Sequence, residues 1–377
     1  MATSIMSRSQ GVMTGKGGSS EALQAGFTQK AFTALVARYP GASTADVQQY
    51  IRTSAASTVP FLSNATNDAL SYPLDRLSNG NALLALSSPS AASNDTSSSS
   101  SSLRATAKAL RQSIDLNRRN PEGGLWYYVY PEWSYLDGMY SLAPFYSAYS
   151  LATIAPSSNS ANAALDDMVY QLDLLWNHTF DAATGLLTHG YDDSRTAVWA
   201  NPVTGASPHV WGRSLGWYCM ALVDTLEILQ KAPCKYKKPL LEKFQTLMPA
   251  VINAVDPQTG GWWQVLDEPG KEGNYIESSG SAMFAYALLK GARLGYLTAT
   301  LASKASSVAV RAQGYLTDTF VVKEANGTLS YNGTVAVCSL NSTASYEYYV
   351  GQPILYNSVL GSAAYVLASI EAESLQL

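Results

Sequence analysis

Two carboxylates that each precede a helical pattern are the strongest candidates for catalysis in this chain of 377 residues. Asp137 lies in the run PEWSYLDGMYSLAPFYSAY, where an aromatic segment leads into an apolar helix. Tyr135 and Met139 would partly desolvate its carboxyl, which suits a general acid, although an Asp at such a junction is also a common helix N-cap. Asp75, in SYPLDRLSNGNALLAL, precedes another helix, and there an ion pair with Arg76 or a cap is an equal alternative. The two carboxyls could face each other across a pocket.

The stretch from residue 189 to residue 227 adds side chains that suit an acidic sugar: His189, Trp211, Arg213 and Trp217. The planar guanidinium of Arg213 presents donors that fit the two oxygens of a carboxylate, so an Arg among tryptophans indicates a substrate that carries one. The alternative is a structural Arg213 that closes its loop onto Asp192 or Asp193. His189 also has a structural alternative, but the glycine beside it leaves room to face a pocket.

Tyrosines and tryptophans cluster in segments that follow glycine turns, for example at Trp126-Tyr127-Tyr128 and Trp262-Trp263. Such amphipathic rings can stack on the C–H faces of sugars while their polar groups form hydrogen bonds. Alternatively, the rings pack on each other and close the mouth of a barrel. Taken together, the clusters favour a carbohydrate site.

The composition excludes several other classes of function. Charged residues make up 14% of the chain, the formal net charge is -4, and no run of Lys or Arg is present, so we expect neither a nucleic-acid nor a membrane partner. No stretch approaches the roughly 20 apolar residues of a membrane span. The three cysteines and three histidines lack metal-ligand spacing. We therefore expect no metal and no cofactor, and we expect a monomer.

Helical periodicity dominates the pattern of apolar residues. In segments 163–179 and 240–255 the apolar positions recur at the spacing of one helical face. The serine tract at 97–102 is predicted to form a surface loop, with a helix resuming at Leu103.

A weak internal repeat follows several of these helices. A polar residue, a glycine turn and an aromatic or β-branched run recur at NPEGGLWYYVY, FDAATGLLTHG, VDPQTGGWWQV and KEANGTLSYNG. The turn glycines are spaced 61, 76 and 66 residues apart: Gly124, Gly185, Gly261 and Gly327. That spacing fits a helical hairpin, and six hairpins of roughly 63 residues would fill the chain.

We therefore predict an all-α fold, an (α/α)6 barrel of six helical hairpins, with short strands and loops lining a central pocket. An open α-solenoid is the alternative. Residues 26–377 would form this single catalytic domain, and residues 1–25 a partly flexible N-terminal segment.

The motifs LDGMY, HGYD, SPHVWGRSLGW and GGWWQVLDEPG, taken in this order, resemble glycoside hydrolase family 105, the unsaturated rhamnogalacturonyl hydrolases. This family is related to the unsaturated glucuronyl hydrolases of family 88. The resemblance runs from about Gly26 to the C-terminus and implies the same (α/α)6 barrel. It also implies an enzyme that acts on the 4,5-unsaturated uronic acid which a polysaccharide lyase leaves at a non-reducing end.

The chemistry implied by the resemblance is hydration of the C4=C5 double bond. Asp137 matches the family's catalytic Asp, which would protonate C4 and then act as base for the water, and Asp75 matches the second family Asp. By the same match, the residues that would bind the unsaturated sugar are Tyr135, His189, Trp211, Arg213 and Trp217. Ser278 and Ser279 are carried over only weakly.

One departure from the family concerns specificity. Bacterial rhamnogalacturonyl members often have a basic residue where this chain has the run from Trp126 to Tyr130. The preference between galacturonyl and glucuronyl ends is therefore open. A conventional inverting glycosidase that uses Asp75 and Asp137 and a non-catalytic sugar-binding protein are the alternative functions.

Six N-x-S/T sequons in a chain poor in Lys and Glu suggest a secreted fungal glycoprotein, with a cytoplasmic protein as the alternative. The sequons are at Asn64, Asn94, Asn177, Asn326, Asn332 and Asn341. Of the cysteines, Cys219 is expected to be a buried thiol, so Cys234 and Cys338 are the expected pair if a disulfide forms.

Overall fold

α-Helices account for most of the residues that the computed structural model describes, which are 1–88, 98–153 and 158–375. The helices are α1 (Ala2–Ser7), α2 (Glu21–Arg38), α3 (Ala45–Thr58), α4 (Ala65–Ser71), α5 (Gly80–Ser87), α6 (Ser98–Asp115), α7 (Asp137–Thr153), α8 (Asn159–Thr179), α9 (Gly212–Ile228), α10 (Cys234–Asn253), α11 (Ser278–Arg293), α12 (Ala299–Phe320), α13 (Tyr346–Val350) and α14 (Val359–Ser374). Short 3-10 helices occupy Ala42–Thr44, Leu74–Asn79 and Leu229–Lys231.

Six of these segments form a closed inner ring, in the order α2, the 3-10 helix Leu74–Asn79 with α5, α7, α9, α11 and α14. Each segment contacts the next, and α14 returns to contact α2. The inner helices are buried nearly all round; every residue of α11 from Ser278 to Gly291 is buried, for example. The predicted (α/α)6 barrel is confirmed, and ring closure excludes the open solenoid.

The outer helices bury one face each, as their amphipathic patterns predict. Helices α3, α6, α8, α10 and α12 pack in this layer, and α12 buries only Ala305, Ala309, Ala312 and Leu316.

The sixth outer position, against α14, is taken by the N-terminal helix α1. Its Ile5 is fully buried, and Arg8 donates to the carbonyl of Leu329 at 3.0 Å. The helix expected from residue 26 already begins at Glu21. Residues 1–25 thus contribute two helical segments to the barrel wall.

The repeated glycine turns follow the outer helices α6, α8, α10 and α12. Gly185 and Gly327 have positive φ angles of 73° and 80°, while at the other two turns the preceding residues, Gly123 and Gly260, have φ angles of 89° and 83°. A glycine adopts this left-handed conformation without a Cβ penalty. In each turn the glycine N–H donates to a carbonyl three or four residues earlier, from Asn120, Asp181, Asp256 or Glu324.

Three two-stranded antiparallel sheets accompany these loops. Strand β1 (Trp133–Tyr135) pairs with β4 (Gly190–Asp192), β2 (Phe180–Asp181) with β3 (Leu186–Leu187), and β5 (Val321–Lys323) with β6 (Leu329–Tyr331). Because the turns and strands lead into the inner helices, the N-terminal ends of those helices surround one mouth of the barrel. The candidate catalytic residues belong to this end.

One local prediction is wrong, and the conditional disulfide does not form. The serine tract is helical from Ser98, since α6 extends N-terminally beyond Leu103; residue 97 lies outside the described residues. The three cysteines are free thiols, because Cys234 is exposed at the start of the outer helix α10, whereas Cys338 is buried at the loop end of the barrel. Among the described helices, none combines the length and hydropathy needed to cross a membrane.

Candidate active site

A narrow cavity opens at the N-terminal ends of the inner helices. Its volume is about 80 Å³, where a single water needs about 10–15 Å³, so it is suited to one terminal sugar ring. Six of the seven predicted site residues line its wall: Asp75, Tyr135, Asp137, Trp211, Arg213 and Trp217. Four residues of the surrounding loops join them: Tyr127, Tyr128, Tyr130 and Ser339. The seventh, His189, lies directly behind Asp137.

Asp137 is the first residue of α7 and is buried, with 7% of its surface exposed. The preceding strand β1 positions it, because the Leu136 N–H donates to the carbonyl of His189 at 3.1 Å. Its Oδ2 atom accepts a short hydrogen bond from the Ser214 hydroxyl and lies 3.3 Å from Nε2 of His189. Two side chains of the site thus hold the carboxylate. An N-cap would need only backbone N–H groups of its own helix.

His189 links this carboxylate to a tyrosine. Its ring is fully buried, and Nδ1 lies 2.8 Å from the Tyr349 hydroxyl. If Tyr349 donates to Nδ1, the proton of the neutral ring is on Nε2 and faces the Asp137 carboxylate. Nε2 lies 3.3 Å from Oδ2 of Asp137, but it forms no hydrogen bond of good geometry among the described residues.

Asp75 sits on the same wall in a different environment. Its Oδ2 atom accepts a 2.7 Å hydrogen bond from the Tyr127 hydroxyl, while its Oδ1 atom is buried without a partner among the described residues. Burial, reinforced by the charge of Asp137, raises the pKa of Asp75 to about 7, although the Tyr127 hydrogen bond acts in the opposite direction.

The predicted ion pair of Asp75 with Arg76 is not formed as a direct contact. Arg76 is fully buried and directs its donors away from the cavity, to Ser113, to the carbonyls of Tyr72 and Pro73, and to Asn117. It therefore anchors the 3-10 helix that carries Asp75 to helix α6.

Arg213 lies at the start of α9, with its guanidinium 4.8 Å from the centre of the Trp211 ring. Its Nη1 donates to the carbonyl of Val335 at 2.6 Å and its Nη2 to the carbonyl of Ala336 at 2.8 Å, and a third contact of 3.4 Å reaches the Ser279 hydroxyl. Of five N–H groups, at most two remain for a ligand.

The structural alternative predicted that Arg213 would bind Asp192 or Asp193, and these are not its partners. Asp192 accepts instead from the backbone N–H groups of Ser194, Thr196 and Ala197. Arg213 holds the loop at residues 335–336, and Ser279 forms part of that support through Glu277.

The aromatic residues divide between the two predicted roles. Tyr135 stacks on Tyr127 with ring centres 4.3 Å apart and lines the cavity together with Trp211 and Trp217. Trp262 is instead a core residue that donates to the carbonyl of Val251. A separate buried cluster of loop residues, including Trp199 and Trp211, closes this end of the barrel.

Two residues of the site, Ser214 and Tyr349, escaped prediction, and Tyr127 was expected only as one of the clustered aromatic rings. Tyr127 and Ser214 lie within segments that the sequence singles out, the aromatic run and WGRSLGW, but their own types carry no catalytic signal. Tyr349 lies 160 residues from His189, so only the folded barrel brings it into contact.

A group of side chains with the spacing of cation ligands lies outside the cavity. Among the described residues, Glu122, His178 and Asp193 place their ligand atoms within 4.8 Å of one another. The His178 ring is already engaged, since Nδ1 lies 2.6 Å from the carbonyl of Thr204 and Nε2 lies 2.8 Å from Glu122. These contacts alone explain the geometry of the group.

Comparison with known proteins agrees with this architecture. The model of Glycosyl Hydrolase Family 88 matches residues 6–376. Protein Atu3128 of Agrobacterium fabrum is 38% identical over 235 residues, which cover 61% of this chain and 97% of that protein.

Two solved structures resemble the barrel over most of its length. A family 105 glycoside hydrolase from C. acetobutylicum superposes with a TM-score of 0.81 at 31% identity, covering 99% of this chain and 98% of that chain. The unsaturated glucuronyl hydrolase of Bacillus sp. GL1 has a TM-score of 0.60 at 13% identity, with 92% and 85% covered; this likeness concerns the fold.

The match to the family model spans residues 6–376, and residues of two of the sequence motifs, LDGMY and SPHVWGRSLGW, line one cavity. The protein belongs to glycosyl hydrolase family 88.

Proposed function

We propose that this enzyme removes a 4,5-unsaturated uronic acid from the non-reducing end of lyase-generated oligosaccharides by hydrating the C4=C5 double bond. The observation that carries the proposal is the contact of Asp137 with both His189 and Ser214 at the wall of a cavity sized for one sugar ring. The similar fold of an unsaturated glucuronyl hydrolase supports it.

In the proposed reaction Asp137 gives a proton to C4, and the developing positive charge at C5 is shared with the ring oxygen. Water then adds its oxygen to C5 and returns a proton to Asp137. The resulting hemiketal opens by breaking the bond from C5 to the ring oxygen, and the new hemiacetal at C1 expels the aglycone. Proton transfer by a positioned side chain of this kind contributes roughly 10²–10⁴-fold to a rate.

The neighbouring groups fit supporting roles in this scheme. His189 and Ser214 hold the Asp137 carboxyl in one orientation, so that its proton-transferring oxygen keeps a fixed position. Asp75, partly protonated near neutral pH, can donate or accept a hydrogen bond from a ring hydroxyl or the attacking water. Arg213, with its remaining N–H groups, would attract the substrate carboxylate.

The test is an activity panel of lyase-generated unsaturated galacturonyl-rhamnose and glucuronyl disaccharides, followed by the ultraviolet absorbance of the conjugated double bond. We expect the wild-type protein to abolish this absorbance and Asp137→Asn to lower kcat by at least about 10²-fold. Asp166→Asn, on the exposed face of α8, is the matched control and should retain full activity. Absence of turnover on every substrate, or full activity of Asp137→Asn, would contradict the proposal.

A conventional inverting glycosidase is the second candidate, because a carboxyl with a pKa near 7 at Asp75 resembles a general acid. That mechanism acts at C1 and needs a second carboxylate as base, which Asp137 would supply. It predicts hydrolysis of saturated uronides, which the proposed hydration excludes. Binding of either sugar without any product would instead indicate a non-catalytic sugar-binding protein.

A pectin-derived substrate, secretion and a monomeric state also stay predictions. The relatives named above are bacterial and lend no support to a fungal origin. The sequon at Asn94 lies outside the described residues, whereas Asn326 is in an exposed turn. If the protein is secreted by a eukaryotic host, a glycosidase treatment that removes N-glycans should lower its mass.

A further inference from the structure

A tyrosine contacts the far side of the histidine that lies behind Asp137. Nδ1 of His189 lies 2.8 Å from the Tyr349 hydroxyl, and both side chains are fully buried. Nε2 of the same ring lies 3.3 Å from Oδ2 of Asp137. Because a neutral imidazole carries one hydrogen, on one of its two nitrogens, the direction of the Tyr349 hydrogen bond decides what the ring presents to the candidate catalytic carboxyl.

The Tyr349 hydroxyl determines this direction. Among the described residues, its only hydrogen-bond partner is Nδ1 of His189. Burial raises the pKa of Tyr349 well above its usual range, so the hydroxyl keeps its hydrogen at neutral pH. If Nδ1 also carried a hydrogen, the hydroxyl hydrogen would be buried without an acceptor, and buried polar groups normally have partners. The tyrosine therefore donates, and Nδ1 accepts with its lone pair.

Several contacts fix the position of Tyr349. It belongs to the short helix α13, whose first turn is capped by the side chain of Ser345. The side-chain amide of Gln264 donates to the Tyr349 carbonyl at 3.1 Å, and its Oε1 accepts from the Trp211 indole at 3.1 Å. The Tyr349 ring centre lies 5.9 Å from that of His189 and 6.3 Å from that of Trp211. A fixed backbone and a packed ring thus present the hydroxyl to the histidine.

We propose that Tyr349 is a positioning residue, which keeps the His189 ring neutral with its hydrogen on Nε2, facing Asp137. The catalytic consequence of this arrangement rests on the function proposed above. The hydrogen bond that one histidine nitrogen makes sets which of the two nitrogens is protonated. In the opposite tautomer the Nε2 lone pair would face a carboxylate oxygen, and two acceptors repel each other.

The hydrogen on Nε2 acts mainly when Asp137 is charged. Nε2 of His189 has no hydrogen-bond partner of good geometry among the described residues, and catalytic hydrogen bonds often tighten only when the substrate is bound. After Asp137 has given its proton to C4, the Nε2–H group faces the new carboxylate and stabilises it. A neutral ring also leaves Asp137 able to take up the next proton, whereas an imidazolium would hold it as the anion of an ion pair.

The two oxygens of Asp137 then have different tasks. Oδ2 accepts from the Ser214 hydroxyl and faces Nε2 of His189. Because donors occupy Oδ2, the hydrogen that goes to C4 is carried by Oδ1. His189 keeps its own hydrogen throughout and takes no part in the transfer.

The first test is nitrogen NMR of the full-length protein labelled with nitrogen-15 in its histidines. The chain has three histidines, so spectra of His178→Gln and His209→Gln assign His189 by elimination. At about pH 8, where histidine is ordinarily neutral, we expect Nδ1 of His189 to have the shift of an unprotonated nitrogen and Nε2 that of a protonated one. A hydrogen on Nδ1, alone or together with one on Nε2, would overturn the proposal.

The second test is Tyr349→Phe, which removes the hydroxyl and keeps the ring. Loss of the donor favours protonation of Nδ1, so the pH at which His189 becomes doubly protonated should rise by about 0.5–1 unit, the equivalent of one hydrogen bond. The other titratable groups around the ring are unchanged: Asp137 of α7, Tyr135 of β1 and His209 of the segment before α9. We expect kcat on the unsaturated disaccharides to fall at least about tenfold. KM should change less, because Tyr349 does not line the cavity.

Tyr346→Phe is the matched control on the same helix. Its hydroxyl donates to the carbonyls of Lys271 and Glu272, so its loss should leave the His189 signals and kcat as in the wild type. Circular dichroism verifies that both variants are folded. Wild-type titration and kcat in folded Tyr349→Phe, or equal losses in both variants, would overturn the proposal. If the wild type turns over no substrate, the proposed function fails, and the nitrogen shifts still decide the role of Tyr349.

Discussion

At the scale of single residues, the two carboxylates of the candidate active site differ in what surrounds them. Asp137 contacts a histidine and a serine, whereas Asp75 contacts a tyrosine and leaves one oxygen buried without a partner among the described residues. Environments that differ in this way separate the roles of two carboxyls. In the proposed reaction Asp137 would move a proton, and Asp75 would hold or orient a polar group.

The raised pKa of Asp75 predicts a pH dependence of stability. Between the ordinary value of 3.8 and the folded-state value of about 7, the folded protein keeps a proton that the unfolded chain has released. The free energy of unfolding therefore falls as the pH rises through this window, by about 1.4 kcal/mol for each pH unit and by up to about 4 kcal/mol in total.

Denaturant unfolding of the wild type and Asp75→Asn at pH 4 to 8 measures this effect. The Asn side chain has no such proton, so the stability of the wild type relative to the variant should decrease as the pH rises. Asp68, whose pKa burial raises to about 6, contributes equally to both proteins and cancels. A difference that is constant with pH would contradict the prediction.

At the scale of elements, the short pair of strands β1 and β4 sets the positions of Asp137 and His189. Tyr135 is paired with Gly190, and the two site residues follow and precede these partners along the chain. A Cβ atom on Gly190 would collide with the backbone carbonyl of Ser134 and lie 3.0 Å from Leu340 Cδ1. The register of this pair therefore depends on a glycine.

Gly190→Ala is expected to lower the free energy of unfolding by about 1–3 kcal/mol, because the backbone must shift to accept the methyl group. It should also lower kcat, since His189 moves with β4. In Gly314→Ala, where the added Cβ meets no atom within 4 Å, helix α12 should instead gain about 0.5–1 kcal/mol. Urea unfolding measures the stability of both variants, and the disaccharide assay measures their kcat. Wild-type stability and kcat in Gly190→Ala would show that the strand pair does not position the site.

At the scale of the whole molecule, the barrel is completed by its own N-terminus. Helix α1 packs against the last inner helix, α14, so the first and the last segments of the chain meet. Because of this contact, we expect the N-terminal segment to unfold together with the ring and not separately from it.

Ile5→Ala tests whether the segment is an integral part of the domain. The side chain is fully buried, and a truncation of this kind costs about 2–5 kcal/mol. We expect denaturant unfolding in one cooperative transition with that loss, while Thr3→Ala, on the exposed side of α1, should change stability by less than about 0.5 kcal/mol. If residues 1–25 are flexible, Ile5→Ala will be as stable as the wild type.

The barrel and most of the candidate site could be predicted from the amino-acid sequence. Apolar periodicity and glycine turns report local conformation, and six hairpins follow from their spacing, because helix and turn preferences act over a few residues. Asp137, Asp75 and Arg213 stood at the starts of helical patterns, which is where a barrel places its site.

The contacts of those residues, in contrast, follow from the folded barrel alone. Tyr349 reaches His189 from 160 residues away, Arg213 donates to carbonyls of a distant loop, and Lys30 meets Asp224 across the ring. Hydrogen bonds and ion pairs between segments depend on which helix faces are brought together. Burial then sets the free energy of these hydrogen bonds and ion pairs. No local pattern in the sequence reports which helix faces meet or how deeply a contact is buried.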